Sequence, residues 1–153
     1  MTATISGAIA ISNLLYRYAD LFDAGRLEEA ARLFNRGCIN VGGHDIFGET
    51  TIANFWRSFV ILYDDGTPRT RHLVSNPQII VSDDGQTATC TSQWTVLQQM
   101  DDTPLSIIGT GRYQDEFALT GGAWHFTRRT YGKVDFWGDT SNHLTKQPLP
   151  ETQ

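Results

Sequence analysis

The sequence predicts an α+β domain, with three helices first and a run of long antiparallel strands after them. Three observations carry that reading. Apolar residues recur at helical spacing as far as Leu62, the period changes to two after Gly66, and the later strand patterns are separated by turns rich in Asp, Gly or Pro. The chain of 153 residues is 40% hydrophobic, which suits one domain with a buried core. We place that single domain over 1–153, with its core at about 5–139 and a C-terminal tail at 140–153.

From Ile5 to Asp23 the residues Ile11, Leu15, Tyr18 and Phe22 form one stripe at spacings of four, three and four, the signature of an amphipathic helix. Asp23-Ala24-Gly25 ends it, because glycine supplies the left-handed residue a helix terminus favours. A short second helix carries Leu27, Ala30, Ala31 and Phe34 on one face and stops at Asn35-Arg36-Gly37. Cys38 to Val41 reads as one short strand, and Gly42-Gly43-His44-Asp45 as a turn. The third helix starts near Glu49 and shows Ile52, Phe55, Trp56, Phe59 and Leu62 at helical spacing, ending at Asp64-Asp65-Gly66.

Four strands are expected after that point. Arg69 to Ser82 is the first, bent at Pro77, and Asp83-Asp84-Gly85 turns it into the next. Thr87 to Met100 alternates with Ala88, Cys90, Ser92, Trp94, Val96 and Gln98 on the buried face and threonines on the other. Leu105 to Leu119 follows, with Leu105, Ile107, Gly109, Gly111, Tyr113, Phe117 and Leu119 inward. Two glycines in one strand suggest a bend, or room for something to approach. Ala123 to Asp135 closes the sheet with Trp124 and Phe126 inward, and the tail from Gly138 reads as a loosely packed extension.

Composition excludes several function classes. A net charge of −5 with scattered arginines offers no basic patch to nucleic acid. No apolar run reaches the roughly 20 residues a bilayer span needs, and Met1 to Gly7 lack the charged start of a signal peptide. The expectation is a soluble, cytoplasmic protein. Cys38 and Cys90 lie far apart without a C-x-x-C partner, so neither a disulfide framework nor a zinc site is expected, and both should simply pack.

The chemistry centres on His72. From Thr70 the even positions Thr70, His72, Val74 and Asn76 share one face of the strand, and Arg69 and Arg71 share the other. An inward His72 is either an acid–base group held over a cavity or a buried histidine bonded to its neighbours. Asn76 could then contact a ligand from the same face, although Asn76-Pro77 is also an ordinary strand-bending pair. Tyr113, inward by alternation, and Tyr18, on the helix stripe, are candidate donors to a developing oxyanion or plain core aromatics. Trp56, Phe59, Trp94, Phe117 and Phe136 suit either a core or a pocket for a flat apolar compound, and Trp137 could close its mouth. His44, and His143 in the tail, should be solvated. Asp115 points inward and requires an arginine such as Arg128 or Arg129.

Four stretches carry a family resemblance: Arg17-Tyr18-Ala19-Asp20-Leu21-Phe22-Asp23-Ala24-Gly25, Arg69-Thr70-Arg71-His72, Gly111-Arg112-Tyr113, and Trp124 to Arg129. With the order of elements, they resemble the SnoaL-like branch of the nuclear-transport-factor-2-like (NTF2-like) superfamily over roughly Ile5 to Asp139. The resemblance implies a cone, a strongly curved mixed sheet wrapped around the N-terminal helices and enclosing a deep apolar pocket. It also implies a homodimer or homotrimer, with the threonine face of Thr87, Thr89, Thr91 and Thr95 as one possible surface. The superfamily holds isomerases, dehydratases, cyclases and proteins without catalysis, so the fold alone names no reaction.

The closest catalytic parallel is scytalone dehydratase, a cofactor-free enzyme that uses a histidine oriented by an aspartate at the end of the first helix. The motif matches put those roles on His72 and Asp23. Phe22 and Val41 fall where that enzyme has two tyrosines, and Gly111 and Tyr113 where it has a serine and an asparagine. The dyad is kept and the substrate clamp is not, so the substrate is expected to differ. Tyr18 matches the oxyanion-hole tyrosine of ketosteroid isomerase, but Val41 stands where that enzyme has its aspartate base. The expected function is a cofactor- and metal-independent lyase or isomerase acting on a small hydrophobic cyclic or aromatic compound. The alternative is a non-catalytic binding or assembly subunit.

Overall fold

The first helix, α1 (Thr2–Asp23), lays the predicted stripe against the sheet, with Ile11, Leu15, Tyr18 and Phe22 all at most 4% exposed. In this computed structural model residues 2–146 are described. The helix stops as its sequence requires. Gly25 takes φ +71°, its N–H bonds Phe22 O at 3.0 Å, and the Arg26 N–H reaches back to Leu21 O at 2.9 Å, which is the paired closure of a Schellman motif. A Cβ on Gly25 would sit 1.9 Å from Gly66 O, so the next turn of chain passes where no other side chain fits.

The remaining elements are α2 (Leu27–Arg32), β1 (Cys38–Val41), β2 (His44–Phe47), α3 (Glu49–Arg57), β3 (Thr70–Val81), β4 (Thr87–Gln98), β5 (Ser106–Thr120) and β6 (Ala123–Trp137). The six strands form one sheet in the order β2-β1-β6-β5-β4-β3, in which β1 runs parallel to β6 and every other pair is antiparallel. The sheet is mixed, curved and unclosed, and the helices fill its hollow. Register shifts between Ser75 and Gln78, between Val96 and Leu97, and three times along β5 and β6 supply the curvature, since each bulge bends its strand. Gly111 contributes at the centre. A Cβ there would meet the Trp94 ring at 2.5 Å and Lys133 O at 3.0 Å, so what approaches this glycine is the indole of Trp94.

Four local expectations need correction. Gly42-Gly43 alone makes the turn, and His44 begins the short strand β2, which pairs Val41↔His44 through Cys38↔Phe47. The third helix ends at Arg57, and the chain from Phe59 to Leu62 continues without helix. Leu105 and Ile107 are 61% and 57% exposed, because the bulge beside Val96 turns Ile108, 3% exposed, inward instead. The segment after β6 is packed, not loose, with Thr140 and His143 buried; residues 147–153 of the expected tail lie outside the described residues.

Cys38 and Cys90 are free, buried thiols. Among the described residues no helix is long and apolar enough to cross a membrane, and no group of three or more His, Cys, Asp or Glu residues could hold a metal ion.

Candidate active site

Asp23 is the last residue of α1, where the helix dipole disfavours a carboxylate by roughly 0.3–1 kcal/mol. It is therefore not there for the helix. Its oxygens face the first residues of β3: Oδ1 accepts the Thr70 hydroxyl at 2.8 Å, and Oδ2 accepts the backbone N–H of His72 at 2.7 Å. The His72 ring completes the set, with Nδ1 lying 2.5 Å from Oδ1. Arg69, at φ +55°, turns the chain into β3 just before these contacts. Both side chains are more than nine-tenths buried, so the carboxylate holds the imidazole in a largely dry place. A proton on Nδ1 donates to Asp23, which leaves the lone pair on Nε2.

His72 also lines an apolar cavity of about 210 Å³. Phe22, Trp56 and Val41 wall it from the helical side and β1, while Trp94, Val96 and Ile108 wall it from the sheet. Trp137 stands at the rim, 46% exposed. The Phe22 ring meets the His72 ring edge-on at 5.3 Å. Of the expected ligand contacts, Phe22, Val41, Trp56, Trp94 and Trp137 reach this cavity, and Asn76 and Phe136 do not. Asn76 is exposed at φ +52°, beside the bulge, and donates to the Gln93 side chain at 3.1 Å. Phe136 is 75% exposed on the outside of the sheet, opposite Thr110.

Tyr18 and Tyr113 both line the cavity, together with Tyr131, which sequence reasoning passed over. The Tyr18 and Tyr131 hydroxyls bond each other at 2.7 Å. Beneath them lies Arg129, its guanidinium 4.3 Å from the Tyr18 ring centre and 3.9 Å from that of Tyr113. Asp115 takes the guanidinium in a two-pronged pair at 2.8 and 2.8 Å, both side chains fully buried. Arg128 pairs instead with Asp45. Burial lifts the three phenols well above their ordinary range, so they remain neutral donors at neutral pH. Burial alone would lower Arg129; the Asp115 charge opposite holds it above its usual value.

His143, expected to be solvated, is instead buried in the cavity wall. After β6 the chain makes a turn in which the His143 and Leu144 N–H groups both bond Thr140 O at 2.9 Å. A strap then lies across the segment that follows α3: Ile61 N–H donates to His143 O at 2.9 Å, Thr145 N–H to Phe59 O at 2.8 Å, and Val60 bridges Leu144. The Tyr63 hydroxyl and the Gln98 amide both donate to Asn142 O. His143 is thereby carried into the cavity wall, 8% exposed, with its ring centre 6.4 Å from that of His72. Burial, and next the proximity of His72, lower its pKa to about 4. No periodic pattern marks this segment. The one available signal was a histidine among residues that make turns, Asp139 to Asn142.

A sequence-family comparison matches the SnoaL-like domain over residues 5–130. No curated protein matches the chain in sequence. Among solved structures it is similar to three Novosphingobium aromaticivorans proteins, each 21% identical. One, a proposed scytalone dehydratase, superposes with a TM-score of 0.69 over 91% of this chain and 91% of its own. Another, an NTF2-like protein with a cystatin-like fold, gives 0.70 over 91% and 88%. The third, the beta subunit of a proposed aromatic-ring-hydroxylating dioxygenase, gives 0.68 over 90% and 94%. At this identity the structures speak for the fold, and the domain match covers most of the chain. The protein therefore belongs to the SnoaL-like family.

Proposed function

We propose that the protein is a cofactor-independent lyase or isomerase that works on a small, flat, hydrophobic carbonyl compound by general acid–base catalysis. The observation that carries this is the contact of Asp23 with Nδ1 of His72 beside an apolar cavity. A carboxylate fixed by two further donors sets the tautomer and orients the ring, leaving Nε2 as the proton acceptor. Nε2 takes a proton from the carbon next to the carbonyl; the C–H electron pair becomes the C=C of an enolate, and the carbonyl π pair moves to oxygen. The proton then returns to another carbon of the conjugated system, an isomerisation, or to a departing hydroxyl group, releasing water.

The alternative, a non-catalytic assembly subunit, is favoured by the likeness to the dioxygenase beta subunit. One experiment separates the two without knowledge of the natural substrate. 1-Indanone in D₂O is followed by NMR for deuterium uptake at the carbon beside its carbonyl. The protein should accelerate uptake, and His72→Ala should remove roughly 10²–10⁴-fold of that rate. No acceleration by the wild-type protein would sink the acid–base reading in favour of the assembly subunit.

A further inference from the structure

Among the described residues four buried side-chain atoms lack a hydrogen-bond partner: Ser92 Oγ, His125 Nδ1, Arg129 Nη1 and His143 Nδ1. Only His143 belongs to the cavity wall. A buried polar atom left unpaired costs roughly 1–3 kcal/mol, and such atoms are uncommon because folding usually finds them partners. This one does not result from a loose side chain. The backbone on both sides of His143 is tied down, by Thr140 O before it and by Phe59 and Ile61 across the strap. The ring is therefore held in place with its hydrogen-bonding capacity unused.

We propose that His143 is the group that hydrogen-bonds a carbonyl in the cavity and the enolate oxygen formed from it, through the N–H of Nε2, because Nδ1 is sealed off from any ligand. This deepens the acid–base reading above and rests on it for the enolate. Two observations and one general principle support it. Tyr18, one of the two expected donors, is already engaged with the Tyr131 hydroxyl. The His143 and His72 rings, 6.4 Å apart, are close enough to touch one small ligand together, so that a proton can leave carbon toward one ring while the other meets the oxygen. A neutral imidazole carries one N–H, and a donor aimed at the atom where charge develops stabilises the transition state more than the ground state. The ligand class follows: a neutral ring ketone or enone with an acidic C–H beside the carbonyl. A carboxylate is disfavoured, since among the described residues no lysine or arginine lines the cavity.

The test compares the affinities of 1-indanone and indane, which differ in the carbonyl, by calorimetry or ligand-observed NMR. Wild type should prefer the ketone about tenfold, the size of one net hydrogen bond. His143→Leu should bring the ratio to within about twofold, and His143→Gln, which restores a donor, should recover part of it. In the deuterium assay His143→Leu should slow exchange about 10²-fold or more, the loss typical of one oxyanion donor. A ketone preference that survives in His143→Leu, or that is absent in wild type, overturns the proposal. The two readings fail separately. Loss of ketone preference in His143→Leu without any exchange by wild type sinks the acid–base reading and keeps His143 as the ligand contact. Exchange that depends on His72 but not on His143 does the reverse.

Discussion

The cavity has two polar ends, and they are built on opposite principles. At one end Tyr18 and Tyr131 bond each other, and Arg129 lies stacked between rings with Asp115 gripping its guanidinium. At the other, Asp23 fixes one nitrogen of His72 and leaves the second to the cavity, while His143 Nδ1 has no partner. The phenol end is nearly closed on itself and the imidazole end is open. Burial of polar groups can thus serve a structural or a chemical purpose side by side; what separates them is place, since the unpaired Nη1 of Arg129 lies behind the cavity wall and His143 is part of it.

The comparison can be broken most forcefully at the buried ion pair. Arg129→Met leaves a carboxylate in the core, and urea denaturation should show a loss of about 3–5 kcal/mol, much of which returns when Asp115→Leu is added. Equal stability of wild type and Arg129→Met would mean that the phenol end is not the structural one. The next effect is on pH dependence. The folded-state pKa of His143, about 4, lies below the ordinary 6.5, so above pH 6.5 both states are neutral there and the group adds no slope. As pH falls from 6.5 to 4 the unfolded chain binds the proton and the folded one resists it, so stability drops by about 3 kcal/mol in all. His143→Gln should remove that part of the acid destabilisation. A wild-type slope retained in the variant would place the histidine in water.

Asp23→Asn sharpens the other end. It keeps one acceptor oxygen, enough for the Thr70 hydroxyl or the His72 N–H but not both, and removes the charge that orients the imidazole, so indanone exchange should fall about 10–100-fold. The smallest effect is expected from Tyr131→Phe. Losing the bond to Tyr18 should cost about 1 kcal/mol in unfolding free energy, and the change in unfolding should exceed the change in exchange rate.

The helical stripe Ile11, Leu15, Tyr18 and Phe22, the stop at Gly25 and the alternation of β4 were legible because each depends on neighbours within a few residues. The period of two failed where bulges intervene. Beside Val96 the inward position passes from Ile107 to Ile108, and after Ser75 the face shared by His72 and Asn76 is lost. The strand at His44 was hidden by its length of four residues, although Gly42-Gly43 is itself a two-residue hairpin signal. The contact of Asp23 with His72 was suggested by family likeness, and local pattern could not have joined residues 49 positions apart. His143 was illegible for a further reason. Its burial comes from backbone bonds to the chain after α3, which leave no mark on the composition of the segment 139–145.

The glycine stop of α1 has one more consequence, which concerns insertions and deletions. Asp23 faces β3 because the helix carries its last residues at a fixed angle to the stripe and then halts at Gly25, against Gly66. One residue inserted between Phe22 and Asp23 would swing the carboxylate by about 100° around the helix axis and carry it off Thr70 and His72 with every side-chain type retained. The dyad is thus written partly as a count of residues, and relatives that differ in length at this point would lose it while still reading as Asp and His.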